Sequence, residues 1–278
     1  MRAFSTFLSL FTLLFFLCPI LCLSQGEKTK LPTAETEEID LPQTIDYQGE
    51  SVALGDFLVQ SLAALEVQDY NEEALKAIAV VLTSQLRCAL STEEGAAQMA
   101  RLTPQEAKER WGDYWFSQYW PKLEAAVRAT WGITLQTEGT PFSPSLFPLS
   151  WGMTAEGIEC PYDFTAEGFE QTRSFPLANV QLLFPDCKGL TVKKARSGRV
   201  ESVISGSITL TGTQVAAYFN LPSPCFTALV EEDTVTFYCK GIGSGEGMSL
   251  YAANESAKRG ADYRGILAAF YPQATLTE

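Results

Sequence analysis

The chain has 278 residues, 46% of them hydrophobic and 19% charged, enough apolar material for one sizeable core or two small ones and too much for a disordered protein. Lys and Arg total 20 against 33 Asp and Glu, a formal net charge of -13, which disfavours nucleic acid as a partner because no general positive field is available for phosphates. Histidine is absent, which excludes Ser-His-Asp and Cys-His catalysis, imidazole metal ligands and a histidine general base.

Residues 1–25 read as a targeting segment. Arg2 precedes an apolar stretch from Phe4 to Leu23, and Cys22-Leu23-Ser24 offers small residues for cleavage before Gln25. The stretch is also long enough for an uncleaved membrane anchor over residues 4–23, and either outcome places the body outside the cytoplasm. Residues 26–50 carry Glu27, Glu35, Glu37, Glu38, Asp40, Asp46 and Glu50 against Lys28 and Lys30, with Pro32 and Pro42 and no periodicity, and read as an acidic flexible tether. Residues 51–278 form the domain.

Asp56 is placed to cap a helix with apolar Leu58, Val59, Leu62 and Leu65. Asn71, Glu72 and Glu73 open a second helix with Leu75, Ile78, Ala79, Leu82 and Leu86 on one stripe. Glu66 lies four residues after Leu62 and seven after Val59, on or beside the buried stripe of the first helix. A carboxylate desolvated there would favour its protonated form and suit a general acid; the competing reading puts Glu66 at the helix end, in reach of water.

Thr103-Pro104-Gln105-Glu106 starts a further helix, followed by Trp111, Tyr114, Trp115, Tyr119 and Trp120. These rings are expected to be core, since aromatics dominate burial, with a sugar-stacking platform as the alternative. From Gly132 onward short alternating runs (Ile133 to Thr137, Val200 to Ile208, Thr234 to Tyr238) separated by Gly, Pro and Ser predict a β-rich half, so the fold class is α+β.

The body holds an odd number of cysteines: Cys88, Cys160, Cys187, Cys225 and Cys239. A hairpin centred on Glu232 would bring Cys225 and Cys239 opposite each other as a candidate disulfide, with two buried thiols as the alternative. No CxxC spacing supports a zinc site, and no cofactor or metal is expected. Near the end, Gly241 to Ser249 is glycine-rich and precedes a helix ended by Gly260; a second helix runs from Asp262 to Phe270. Such a loop can cradle an anion on backbone amides, but without a Walker lysine or a βαβ unit a close-packed structural turn is the simpler reading.

Several segments together resemble the stage II sporulation protein D family, also called the SpoIID/LytB or amidase-enhancer family. Glu73 to Val80 resembles its EALKAQAVAARTYA block, Ala126 to Gly132 its AVxxTxG step, and Trp151-Gly152-Met153-Thr154 its GGxT turn. Ser197 to Val200 with Leu210-Thr211-Gly212 resembles the SGRV and LxG pair, and Gly241 to Met248 with Tyr263 to Pro272 resembles the GWGHGVGMSQ loop and the YxxILxxYYP ending.

The resemblance implies action on peptidoglycan, with sporulation members similar to lytic transglycosylases that cut stem-free glycan strands, and a wall amidase as a further partner. It implies Glu66 as the acid/base residue, matching a family Glu in a VVxxEMP segment, although the Pro is absent and the spacing to the next block one residue shorter. Gly243, Ser244, Gly245, Gly247, Met248 and Thr154 are the implied glycan-binding positions. A lone carboxylate would protonate the glycosidic oxygen and then take the proton of the sugar's 6-hydroxyl, closing a 1,6-anhydro ring. The family's Arg-Thr-Tyr is Thr83-Ser84-Gln85 here, its loop histidine is Ser244, its Trp is Ile242 and its Gln is Leu250. These losses at polar positions suit a diverged enzyme or a catalytically silent relative that binds glycan or modulates an amidase; a secreted scaffold is the blander alternative.

Overall fold

The computed structural model describes residues 41–91 and 95–277; residues 1–25, read above as a targeting segment, and most of 26–50, read as a tether, lie outside the described residues. The described chain is α+β, with eight α-helices and thirteen short strands. It begins with a hairpin of β1 (Thr44–Tyr47) and β2 (Glu50–Ala53), turned at Gln48-Gly49, with Ile45, Tyr47 and Val52 buried. The tether expected to reach residue 50 therefore stops short of Thr44: three apolar side chains at alternate positions suffice to dock an otherwise acidic ribbon on the core.

Helix α1 (Leu54–Ala64) follows directly. Its N-cap is Ala53, without a side-chain cap bond, and Asp56 sits in the first turn, where its charge meets the positive helix end, rather than capping as expected. Helix α2 (Glu72–Ala89) is capped as predicted, the Asn71 side chain accepting from the Glu73 amide, and its predicted stripe of Leu75, Ile78, Ala79, Leu82 and Leu86 is buried. Helix α3 (Pro104–Trp111) opens with a full capping box between Thr103 and Glu106, and Gly112, at φ 79°, turns the chain into α4 (Asp113–Ala129).

These four helices share one core with the C-terminal elements: α7 (Leu250–Lys258), α8 (Tyr263–Phe270) and β13 (Thr275–Thr277), which pairs with β3 (Thr134–Thr137). Strand β3 pairs in turn with β4 (Thr140–Pro141).

Between β4 and α7 the chain builds a second core, centred on Phe184, Val203, Val215, Phe226, Val235 and Phe237. Its larger sheet orders β10 (Phe226–Val230), β11 (Thr234–Lys240) and β6 (Glu170–Pro176), and a smaller sheet orders β7 (Thr191–Lys194), β8 (Val200–Ser205) and β9 (Ile208–Leu210). Helices α5 (Leu177–Gln181) and α6 (Gly212–Tyr218) cover them. A two-residue parallel bridge of β5 (Leu146–Phe147) with β12 (Met248–Ser249) brings the chain back to the first core.

The β10–β11 hairpin forms as the sequence predicts, but Cys225 and Cys239 are free thiols. Cys239 pairs in register with Phe226, and Cys225 lies opposite Lys240, whose amide donates to the Cys225 carbonyl. An offset of one residue puts the two side chains on opposite faces of the sheet, so the expected disulfide has no geometry to form. Burial pushes both thiols up, Cys239 to about 11, which keeps them protonated and unreactive at neutral pH. All five cysteines among the described residues are free.

Candidate functional site

Glu66 does not lie on a helix. Helix α1 stops at Ala64, Leu65 caps it, and the Glu66 amide donates back to the Ala63 carbonyl in a left-handed turn, with φ 58° at Glu66. The slot after a helix end is one glycine usually fills, and a glutamate held there costs on the order of 1 kcal/mol. Because the periodic stripe ends two residues earlier, the expected desolvation does not arise: the Glu66 side chain is 64% exposed. Its Oε1 accepts from Arg110 Nη1 at 2.6 Å, an ion pair across 44 residues of sequence. Arg110 was not legible as a partner, since nothing in the spacing links the last turn of α3 to the end of α1.

Arg110 is followed at once by the aromatic segment, and here the core expectation is overturned for Tyr114 and Trp115, while Trp111 packs on the first core and Tyr119 is half-buried. Trp120 is buried and stacks with Phe116 (centroids 5.1 Å), both against the first core. Tyr114 and Trp115 are 69% and 50% exposed. Trp115 and Tyr119, one turn apart, stack at 5.3 Å with planes only 14° apart; Tyr114 meets Trp115 edge-on at 5.2 Å and Trp111 meets Tyr119 edge-on at 5.9 Å. The Gly112 turn separates these rings on α4 from Arg110 in the last turn of α3, the residue that pairs with Glu66. Flat apolar ring faces and a charged donor and acceptor are what a sugar needs, since a pyranose has an apolar C–H face and a rim of hydroxyls.

The glycine loop plays a different part. The amides of Gly241, Ile242, Gly243 and Met248 donate to the carbonyls of Phe169, Leu149, Pro222 and Ser145; that of Glu246 donates to Ser244 Oγ and that of Gly247 to the Glu156 carboxylate. Few donors remain for an anion cradle. The glycines are needed for contact: a Cβ at Gly245 would stand 2.0 Å from the Trp151 ring, at Gly247 2.1 Å from the Ser145 carbonyl oxygen, and at Gly243 2.9 Å from Pro148. The loop is a close-packed seam against residues 145–151.

Of the other implied glycan positions, Met248 is wholly buried in the first core, and the Thr154 hydroxyl accepts from the Ile158 amide inside its own turn. Ser244 is exposed. Thr83 and Ser84, where the family pattern has Arg and Thr, donate to the carbonyls of Ala79 and Val80 one turn back, and Ser84 also accepts from Leu135; they serve packing between α2 and β3.

Sequence reasoning missed Asp163 altogether. It is fully buried, its Oδ2 accepting from the Ser150 amide and the Ser249 hydroxyl at 2.8 Å each, while Oδ1 has no partner. Burial raises its pKa against the opposing pull of those bonds. It ties the 150–152 turn to the N-cap of α7, to which the Asn71 amide also reaches through Asn254. Tyr70, beside it, is pushed up to about 12 by burial and by the surrounding carboxylates Asp69 and Asp163. Among the described residues no group of three or more potential ligands could hold a metal ion, and no helix is long and apolar enough to cross a membrane.

Fold and site together define a mixed α+β protein with two cores, a close-packed glycine loop, exposed rings on α4 and an ion-paired glutamate after α1. No family model matches the chain. It is 25% identical over 281 residues to the stage II sporulation protein D of Bacillus amyloliquefaciens, covering 89% of this chain and 81% of that protein. To the protein of the same name from Bacillus subtilis it is 24% identical over 296 residues, covering 91% of this chain and 86% of that one. The chain is thus similar, over about nine-tenths of its length, to stage II sporulation protein D of two Bacillus species.

Proposed function

We propose that this is an exported sporulation protein that binds the glycan strands of the cell wall through Trp111, Tyr114, Trp115, Tyr119, Arg110 and Glu66. The sporulation role comes from the names of its relatives, and the export from the apolar segment at residues 4–23. The observation that carries the glycan reading is the exposure of Tyr114 and Trp115, which lie in ring contact with each other and with Tyr119 on α4, the helix that follows Arg110 in the chain. A net charge of -13 makes electrostatic capture of an anionic wall polymer a poor substitute, so the contact must come from ring faces and hydrogen bonds.

Strand cleavage by Glu66 in the manner of a lytic transglycosylase is the second reading. Its support is the left-handed backbone of Glu66, since strained non-glycine residues gather at functional sites. Against it stand the exposure of the carboxylate to solvent, rather than enclosure in a cleft, and the ion pair in which Arg110 occupies its Oε1. Incubating the purified protein with stem-free glycan decides between them: co-sedimentation without anhydro-sugar products is the expected result. Anhydro products that disappear in Glu66→Gln would establish the second reading, and failure to bind glycan at all would overturn both.

A further inference from the structure

A concave site has none of the exposed rings of α4, Arg110 or Glu66 in its lining and does not depend on the glycan reading. It encloses about 400 Å³, within the range of small-ligand pockets, between the 142–145 turn, the 156–158 turn and the chain after α8. Its walls are mostly apolar: Phe142, Pro144, Ile158, Tyr271 and Ala274. Phe142 and Tyr271 meet edge-on with centroids 6.0 Å apart, and the Tyr271 hydroxyl is spent on the Ser145 carbonyl at 2.6 Å, so both residues offer ring surface rather than a polar tip.

The cavity lining has one charged side chain, Glu156, and no lysine or arginine. Its Oε1 accepts from the Gly247 amide at 3.2 Å, which fixes the carboxylate at the mouth, and no lysine or arginine among the described residues forms a salt bridge with it. Glu156 lines the same cavity as Tyr271, whose phenol is pushed up mainly by burial and further by the Glu156 charge. A lone carboxylate beside two aromatic walls is a complement for a cation: the carboxylate supplies charge, the ring faces supply cation–π attraction, and the apolar remainder takes an aliphatic stem.

We infer that this cavity binds an alkylammonium group, a primary amine on an aliphatic stem, with Glu156 as the counter-ion and Phe142 and Tyr271 as its walls. The group could arrive as a small free amine or as the side chain of a lysine-like residue in a peptide; the chemistry recognised is the same.

Titration of the full protein by calorimetry with n-hexylammonium, n-hexanol and hexanoate tests this. The ammonium probe is expected to bind about tenfold more tightly than the alcohol, and hexanoate more weakly than either, as the sum of one partly exposed charge pair and one cation–π contact implies. Glu156→Gln, whose amide oxygen can still accept from the Gly247 amide, should remove that tenfold preference while leaving alcohol binding unchanged. A lysine amide with a blocked α-amine, free and within a short peptide, separates the sources: equal binding of free and peptide-borne lysine means the peptide backbone adds nothing, and tighter peptide binding identifies a peptide side chain as the ligand. Equal affinity for ammonium and alcohol, an unchanged preference in Glu156→Gln, or no binding of any probe would overturn the assignment.

Discussion

The glycine loop and the aromatic segment make opposite use of their sequences. Residues 241–248 have the more conspicuous pattern, alternate glycines at positive φ before a helix, and almost every feature of that pattern is consumed by packing against residues 145–151. Residues 110–119 carry no pattern beyond helix signals and many rings, and they leave two of the largest side chains in the chain facing water. Glycine spacing reports where backbones must touch; exposed aromatic surface reports where something else must. The distinction becomes visible only when burial is known.

The sharpest way to break this contrast is at Gly245. With φ at 79° and the Trp151 ring 2.0 Å from where a Cβ would stand, Gly245→Ala is expected to cost about 3–5 kcal/mol in urea unfolding, from strain and overpacking together. Gly49→Ala shares the positive φ but meets nothing within 4 Å, so it should cost only about 1 kcal/mol. Equal costs would mean that the loop is not a packed seam.

Asp163 gives a smaller effect with a defined pH window. Its folded pKa lies above the ordinary value of 3.8, so between 3.8 and the raised folded value the native state holds a proton that the unfolded chain has released. Its contribution is complete below pH 3.8 and is lost as pH rises through the folded pKa, at no more than about 1.4 kcal/mol per pH unit. Asp163→Asn should flatten that fall in unfolding free energy, measured by urea titration from pH 4 upward. An unchanged slope would show that the carboxyl is not desolvated.

At Glu66 and the exposed rings the stability effects should be small. Glu66→Gly relieves the left-handed backbone and loses one exposed ion pair, for a net gain of a few tenths to about 1 kcal/mol. Tyr114→Ala with Trp115→Ala should cost no more than about 1–2 kcal/mol, because at least half of each ring faces water and the main loss is their contacts with each other and with Tyr119. A large destabilisation in either case would return these residues to a structural role.

Much of the fold was legible because its signals are local. The Asn71 cap, the Thr103–Glu106 capping box, the α2 stripe and the β10–β11 hairpin each depend on residues within a few positions of one another. What failed depended on one residue of register or on distance. Cys225 and Cys239 missed by a single step of pleat, and Glu66 left its stripe because α1 ends two residues before it. The Arg110 partner of Glu66, the Asp163 hub and the Glu156 cavity arise from contacts between segments dozens of residues apart, which no periodicity encodes.

The central claim, that the exposed rings hold wall glycan, is tested most directly by calorimetric affinity for an N-acetylglucosamine oligosaccharide, comparing the unaltered protein with the Tyr114→Ala/Trp115→Ala form. Two lost ring contacts at about 0.5–1.5 kcal/mol each predict a weakening of roughly 10- to 100-fold with the fold intact. Equal affinity in the two proteins would contradict the account.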